Sequence, residues 1–244
     1  MYTKTTTINN ITFNYSNKIV VVVGGSRGIG KEICKQFVLA GATVYCLSRT
    51  PLNTKGVTHI VCDISIEKDI DKAIAQLESI DFLINVAGTN LCEPIENITT
   101  TEWDRLMNTN LKSFFLISKK VIPLMKEKNS GRIVNVSSIA GRHKSVVSGV
   151  HYTSSKYGIV GLTKQLAHEV SRYNILVNCV CPSQTRTEML EASMTEEQLH
   201  NLEKQIPVRR IATTVEQSLP VLFLCSDGAS YISGATIDIN GGQF

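Results

Sequence analysis

Short apolar runs alternate with amphipathic segments along the whole chain, and this alternation constrains the fold more than any other feature of the sequence. The first run, "NKIVVVVGG", is continuous and ends in glycine, which is typical of a parallel strand buried on both faces. "GKEICKQFVLAG" then shows helical periodicity. Further strands are predicted at "ATVYCLS", "HIVCDIS", "IDFLINVAG", "GRIVNVSS", "ILVNCVCP" and "GATIDIN". The pattern predicts an α/β fold, with a doubly wound, mostly parallel sheet of about seven strands and helices on both faces.

The intervening segments predict the helices. They cover "EKDIDKAIAQLES", a long region from about Thr101 to Lys128 that Pro123 kinks or ends, and a region from about Tyr152 to Arg172. No linker or repeat interrupts the alternation, so residues 18–244 are predicted to form one domain.

Two segments fall outside the alternation. Residues 1–17 form an N-terminal extension whose alternating Ile11, Phe13 and Tyr15 predict an added ribbon or an arm that reaches a neighbouring subunit. Residues 186–210 follow the sixth strand and predict one or two amphipathic helices. Because ligands of doubly wound folds bind at the carboxyl ends of the strands, these helices are interpreted as a lid, with a packed surface excursion as the alternative.

Composition excludes several classes of function. The formal charge of +4 is mild and not concentrated in runs, which argues against a nucleic-acid partner. No apolar run approaches the ~20 residues of a membrane-spanning helix, and residues 1–17 lack the apolar region of a signal peptide. The seven cysteines contain no C-x-x-C pair and the five histidines are scattered, so we expect reduced thiols, no metal site and a cytoplasmic protein.

A glycine-rich loop follows the first strand. "GGSRGIG" contains Gly24, Gly28 and Gly30, and glycines let a backbone turn sharply against a pyrophosphate that the next helix N-terminus attracts. Its position between a buried strand and a helix is the context required for dinucleotide binding in a Rossmann fold. The loop residues Ser26, Arg27 and Ile29 are included in this predicted site.

The end of the second strand predicts which dinucleotide binds. NAD-binding folds place an Asp or Glu there for the ribose 2′-hydroxyl, whereas this chain has Ser48 and Arg49. Arginine and serine suit a 2′-phosphate, and Arg27 adds a second cation. NADP(H) is therefore predicted over NAD(H).

Several motifs together resemble one family. "GGSRGIG", "NVAG", "NTNL", "VNVSS", "YTSSK" and "PSQTRTEM" occur in the order found in the single-domain short-chain dehydrogenase/reductases, and the resemblance covers residues 18–244. The cofactor end is similar to that of NADPH-using members such as tropinone reductases and 3-oxoacyl-carrier-protein reductases. The resemblance implies hydride transfer between a nicotinamide and a ketone or secondary alcohol.

The resemblance also implies a catalytic group of four residues. Tyr152 is the proton donor to the carbonyl oxygen, and Lys156, one helical turn along, supplies a positive charge that favours the phenolate. Ser138 is expected to hydrogen-bond the substrate oxygen, and Asn110 to organise a water behind the lysine. Lys156 and Tyr152 are also expected to contact the nicotinamide ribose.

Other cofactor contacts are implied by the family's motifs. Those expected to line the cofactor are Asp63, Ile64, Asn85, Ala87, Gly88, Pro182 and Thr187. The sequence departs from the family's pattern at Val23, Val86 and Ser183, where threonine, asparagine and glycine are usual. Ser183 is expected to alter the backbone beside the nicotinamide.

The substrate stays open at this point. Candidate pocket walls are Thr89, Asn90, Arg142, His143, Gln184 and the lid helices. "GRHK" is interpreted either as a solvated basic run or as an attraction for an anionic substrate. The alternatives are a 3-oxoacyl-thioester reductase, a reductase of a small ketone, sugar or secondary metabolite, and a non-catalytic NADPH-sensing or scaffold protein. The family is commonly dimeric or tetrameric, so a homo-oligomer is expected.

Overall fold

The computed structural model describes residues 6–8, 11–145 and 147–244 of the chain. Seven of the described strands form one parallel sheet, in the order β5-β4-β3-β6-β7-β8-β9. The strands are β1 Thr6–Ile8, β2 Ile11–Phe13, β3 Ile19–Val23, β4 Thr43–Ser48, β5 Val57–Val61, β6 Phe82–Asn85, β7 Gly131–Val136, β8 Ile175–Pro182 and β9 Thr236–Ile239. The predicted doubly wound sheet is confirmed.

Helices cover both faces of this sheet. One face packs against α1 and α8, and the other against α2, α4 and α5. The helices are α1 Gly28–Leu39, α2 Glu67–Ile74, α3 Thr100–Met107, α4 Ser113–Glu127, α5 Val150–Val170, α6 Glu188–Ser193, α7 Glu196–Gln205 and α8 Thr214–Cys225.

The central strand β3 shows why the sheet is buried on both sides. Val20 and Val22 face the α1 side, whereas Val21 and Val23 face the α2 side, and all four are fully buried. Each buried valine contributes roughly 1.5–3 kcal/mol, so a continuous valine run is stable only between two helical layers. β3 lies between β4 and β6, and the chain order reverses there. Ligands of doubly wound folds bind at such a switch point, at the carboxyl ends of the strands.

Some element boundaries differ from the predicted ones. The third sheet strand is Val57–Val61 rather than "HIVCDIS", because Cys62 and Ile64 are buried beyond the strand end and extend the apolar pattern. α2 ends at Ile74, before the predicted end. Pro123 was expected to kink or end the long helix; it does not end it, since α4 continues to Glu127 and a proline removes only one backbone donor, and the kink stays a prediction.

The predicted N-terminal ribbon is present in the described residues. β1 and β2 pair in antiparallel fashion, with Thr6 opposite Phe13. Phe13 and Tyr15 are buried against the core, and the Tyr15 hydroxyl donates to the Leu222 carbonyl at 2.5 Å. Burial, followed by the nearby Cys225 and Asp227, raises the pKa of Tyr15 well above its ordinary value. Residues 1–5, 9 and 10 lie outside the described residues, and the arm to a neighbouring subunit stays a prediction.

The segment after β8 forms two helices, α6 and α7. Leu199, Ile206 and Ile211 make a small apolar cluster of their own, separate from the main core. Arg186 joins the start of the segment to Glu203 of α7 at 3.2 Å. Within residues 6–8, 11–145 and 147–244, no helix combines the length and apolar character needed to cross a bilayer.

Candidate active site

The glycine-rich loop lies in close contact with the segment after β6. Gly24 has φ +89°, and a Cβ placed on it would lie 2.5 Å from the Cα atom of Ala87. A Cβ on Gly30 would overlap the Gly24 carbonyl oxygen. Glycine is therefore required at both positions, because the backbone turns left-handed at one and approaches another backbone at both.

The N-terminus of α1 faces this loop without a side-chain cap. Arg27 occupies the N-cap position and makes no capping hydrogen bond, and the first turn contains no acidic residue. The N–H groups that a helix leaves unpaired at this end are therefore available to an anion. Ser26 is half-buried in the loop, and Ile29 packs onto the core beneath it. This arrangement fits the pyrophosphate of a dinucleotide.

Polar groups gather where β4 ends. Ser48 is buried, donates to the Thr50 carbonyl at 2.8 Å, and lies 3.0 Å from Nε2 of His59. The Arg49 side chain is 76% exposed, with Nη1 3.9 Å from Oδ2 of Asp63. A mostly exposed guanidinium at this distance makes only a weak ion pair, so Arg49 can still receive another anion.

Asp63 is ionised and held by its own turn. Partial burial acts to raise its pKa, but hydrogen bonds from the side chain and backbone N–H of Ser65, with the nearby Arg49, hold that pKa below its usual value. Ile64 is buried in the core beside it. The carboxylate therefore orders the loop after β5 in which an adenine is expected.

Tyr152 and Lys156 lie together on the first turns of α5. The Lys156 Nζ atom lies 5.5 Å from the centroid of the Tyr152 ring, and only 4% of the lysine is exposed. Nζ donates to the Val136 carbonyl at 3.2 Å, and Ser137 Oγ donates to the Lys156 carbonyl at 2.8 Å. The ammonium is thus fixed between the end of β7 and the half-buried tyrosine.

Asn110 is fully buried in a π-helical turn, Asn108–Lys112, that separates α3 from α4. Its Oδ1 accepts from the Thr89 N–H at 2.9 Å, and its Nδ2 donates to the Thr89 carbonyl at 2.9 Å and to Ser155 Oγ at 3.2 Å. π-turns inside helices often mark functional sites. This one turns an amide towards the segment after β6, where it holds both backbone groups of one residue.

Ser138 lies just beyond the end of β7. It caps a short helical turn, Ile139–Gly141, and its Oγ accepts from the Ala140 N–H at 3.1 Å. The residue is half-buried. Because that hydrogen bond uses an acceptor position, the hydroxyl proton can be donated to a ligand.

The remaining predicted cofactor residues lie on or after β6 and β8, and only some of them adjoin the glycine loop or the lysine. A Cβ on Gly88 would lie 3.5 Å from Lys156 Nζ, and the Thr187 side chain would contact a Cβ on Gly28 at 3.5 Å. Asn85 instead faces inward, donating to Asn135 Oδ1 at 2.9 Å, and Pro182 is the last residue of β8. The glycine loop, the lysine and the start of the predicted lid are therefore neighbours.

Several of the proposed pocket walls are exposed but already make contacts within the chain. Asn90 donates to the Val147 carbonyl at 3.0 Å, and His143 stacks on Phe244 with centroids 3.7 Å apart. Arg142 pairs with Asp238 at 3.2 Å, which offsets the charge expected to attract an anionic substrate. Gln184 retains a buried Oε1 without a partner among the described residues.

Sequence reasoning missed two residues that touch the tyrosine. Ser155 Oγ donates to the Tyr152 carbonyl at 2.7 Å, and the Tyr152 N–H donates to Nδ1 of His151 at 3.0 Å. Both lie in "HYTSSK", but a serine inside a helix and a histidine before a tyrosine have no distinctive spacing. Only the fold shows that they are buried.

All seven cysteines are free thiols in the structure, and the expected reduced state in the cell stays a prediction. Six are buried and Cys92 is exposed. The described residues contain no group of three or more potential metal ligands.

Comparison with known proteins identifies the family. The family model described as short chain dehydrogenase matches residues 18–198. The chain belongs to this family. As a short chain dehydrogenase it is an oxidoreductase of a family that uses nicotinamide cofactors, which agrees with the glycine loop, the uncapped helix and the Tyr152–Lys156 pair.

Individual relatives extend over nearly the whole chain. It is 35% identical to the acetoacetyl-CoA reductase of Acinetobacter sp., over 93% of this chain and 98% of the relative. It is 34% identical to the 3-oxoacyl-[acyl-carrier-protein] reductase of Escherichia coli, over 95% and 99%.

Solved structures show the same fold. The 3-oxoacyl-[acyl-carrier protein] reductase from Brucella melitensis is 30% identical with a TM-score of 0.88, covering 94% of this chain and 92% of that one. The aldohexose dehydrogenase of Thermoplasma acidophilum is also 30% identical, with a TM-score of 0.87, over 93% and 94%.

Proposed function

We propose that this short chain dehydrogenase is a cytoplasmic, NADPH-dependent reductase that interconverts a ketone and a secondary alcohol. The observation that carries the proposal is the buried Lys156 ammonium 5.5 Å from the Tyr152 ring centroid. Burying an ammonium is costly, so its fixed position beside a half-buried phenol favours a chemical role for the pair.

The cofactor is held by the chain's own residues at three places. The loop glycines and the α1 N-terminus hold the pyrophosphate, Arg49 binds the 2′-phosphate at the end of β4 next to Ser48, and Asp63 orders the loop beside the adenine. When bound, the reduced nicotinamide supplies a hydride. Arg49 supports NADPH over NADH because a guanidinium at the end of β4 binds a phosphate with charge-assisted hydrogen bonds.

The catalytic residues then control the oxygen of the substrate. Ser138 donates a hydrogen bond to the carbonyl oxygen, and Tyr152 delivers the proton that turns the developing alkoxide into an alcohol. Lys156 stabilises the phenolate left behind. Asn110 acts on the site indirectly. Its hydrogen bonds hold the Thr89 backbone and the Ser155 hydroxyl, and Ser155 directly precedes Lys156.

Removing the tyrosine hydroxyl tests this assignment. Tyr152→Phe is expected to lower kcat by at least about 100-fold, the lower end of what a positioned acid contributes, and to leave the NADPH dissociation constant within about 2-fold. Tyr157→Phe is the matched control, because Tyr157 lies on the exposed side of α5, and this variant should keep the wild-type kcat. Wild-type turnover by Y152F would refute the mechanism.

The substrate class proposed first is a 3-oxoacyl thioester. The reductases named above, from Acinetobacter sp. and Escherichia coli, support it. The second candidate is a small ketone or sugar, supported by the aldohexose dehydrogenase of similar fold. NADPH oxidation measured with acetoacetyl-CoA, an acetoacetyl acyl carrier protein, simple ketones and aldose-derived lactones separates them by kcat/KM. A wild-type chain that binds NADPH but reduces none of these would favour the sensing or scaffold alternative.

A homo-oligomer, dimeric or tetrameric, is also proposed. A shallow, mainly apolar groove of about 540 Å³ runs between α5 and the α3–α4 region, lined by Met107, Leu111, Phe115, Gly158 and Leu162, among others. Phe115 is 47% exposed there, which favours a partner surface. Sedimentation of Phe115→Glu against the wild type tests it, and a monomeric wild type would contradict it.

A further inference from the structure

The backbone of Tyr152 is held by side chains at both of its polar groups. Its N–H donates to Nδ1 of His151 at 3.0 Å, and its carbonyl accepts from Ser155 Oγ at 2.7 Å. Both of these neighbouring residues are completely buried. We propose that His151 and Ser155 are positioning residues, a two-point clamp that sets where the proton donor stands; this rests on the proposed role of Tyr152.

The N–H end of the clamp replaces a missing helix cap. α5 begins at Val150 with Gly149 as its N-cap, and Gly149 has no side chain with which to bind the free N–H groups of the first turn. The His151 imidazole supplies an acceptor instead. A Cβ on residue 149 would lie 2.7 Å from Cε1 of His151, so the absence of a side chain at Gly149 makes room for the ring.

The acceptor role determines the chemical form of His151. Nδ1 can accept only if it carries no proton, so the neutral ring bears its proton on Nε2. That Nε2 atom is buried and has no partner among the described residues. An unpaired buried donor carries a cost, and among the described residues the hydrogen bond that the ring makes is the one from the Tyr152 N–H.

The carbonyl end of the clamp connects to the rest of the site. Ser155 Oγ accepts from Asn110 Nδ2 at 3.2 Å, and Asn110 holds both backbone groups of Thr89. Hydrogen bonds therefore connect the Tyr152 carbonyl, through Ser155 and Asn110, to the segment after β6. The same segment contains Gly88, which lies beside the lysine. The clamp thus sets the phenol relative to the expected nicotinamide site rather than relative to α5 alone.

Two substitutions of similar size separate hydrogen bonding from packing. His151→Asn places Oδ1 where Nδ1 lies and keeps the acceptor, whereas His151→Leu removes it, and both lose the ring. We expect H151L to lower kcat by about 10- to 100-fold, since a misplacement of about 1 Å costs on the order of 100-fold. The kcat of H151N is expected to stay within about 3-fold of the wild-type value, because the retained acceptor keeps the tyrosine in place. The NADPH dissociation constant should not change in either variant.

Ser155→Ala tests the other end independently and keeps the proposal testable if H151L fails to fold. It should lower kcat by about 10-fold with unchanged NADPH binding, as for a hydrogen bond worth roughly 1.4 kcal/mol. Wild-type kcat in H151L or in S155A, or equal losses in H151N and H151L, would overturn the clamp. Y152F distinguishes failure of the proposed function from failure of the clamp. If Y152F is active, the proposed function is wrong. If Y152F is inactive and H151L is fully active, only the clamp is refuted.

Discussion

Replacing Gly24 by alanine tests why the glycine-rich loop needs a glycine there. The residue is required either because the loop backbone packs directly against the Ala87 backbone, or only because the chain turns at this point. Gly24 lies at φ +89°, and an added Cβ would be 2.5–2.7 Å from the Cα, N and Cβ atoms of Ala87. Ordinary carbon contacts lie at about 3.5–4.0 Å, so the methyl group would overlap a backbone by about 1 Å. Because both partners follow closely after buried strands, β3 and β6, neither can move away freely.

The expected cost follows from two separate effects. A left-handed conformation at a non-glycine residue costs on the order of 1–3 kcal/mol, and forcing an extra carbon into a packed site costs about 1–3 kcal/mol more. We therefore expect Gly24→Ala to lower the free energy of unfolding by roughly 2–6 kcal/mol, a large share of the 5–15 kcal/mol of an ordinary protein.

Urea unfolding followed by far-UV circular dichroism, with and without NADPH, measures this loss. Gly161→Ala is the matched control: it lies in α5, and a Cβ there would meet no described atom within 4 Å. Alanine at that helical position should stabilise the protein by about 0.5–1 kcal/mol. If G24A unfolds within about 0.5 kcal/mol of the wild type and binds NADPH as tightly, the close-approach argument is wrong.

Three further predictions concern charge and thiols. Arg49→Ala should raise the NADPH dissociation constant by about 10-fold or more and leave that of NADH unchanged, because only the former has a 2′-phosphate; equal losses by titration calorimetry would contradict it. Hydrogen bonds from Arg210 and then the Thr213 N–H lower the pKa of Glu216 to about 2 from 4.5, so its contribution to stability is present above pH 4.5 and is lost as the pH falls towards 2. The Tm of Glu216→Gln should therefore lie below that of the wild type at pH 7 and converge with it in that acid range, whereas a constant difference would refute the assignment. Finally, the native protein should show a single fast thiol with a colorimetric disulfide reagent, and Cys92→Ser should remove it, since the other six cysteines are buried.

The positions of most sheet strands along the chain could be predicted from the sequence because buried parallel strands leave continuous apolar runs, as at β3 and β8. β5 was misplaced because it is an edge strand: Thr58 and Val61 are exposed, so the apolar signal shifts to residues packed beyond its end. The π-turn at Asn108–Lys112 had no sequence signal, since it depends on the contacts that Asn110 makes after folding.

In the candidate site too, residues within local motifs could be predicted, whereas contacts made only after folding could not. Local motifs suggested Tyr152 and Lys156, whose roles remain a proposal, and the structure places them side by side. Contacts between distant parts of the chain could not be foreseen: Arg142 pairs with Asp238, so a basic run interpreted as an attraction for anions is partly neutralised. The roles proposed for His151 and Ser155 depend on the burial of both side chains. The identity of a single residue in the sequence does not indicate whether it is buried.

The π-turn also limits how this protein can vary. It inserts one residue relative to a regular helix, and one residue corresponds to about 100° of rotation about the axis. α3 on one side of it packs against α5, and α4 on the other side packs against α2. Shortening Asn108–Lys112 by a single residue would turn one of these helices away from its partner, so the segment should accept changes of side chain far more readily than any change of length.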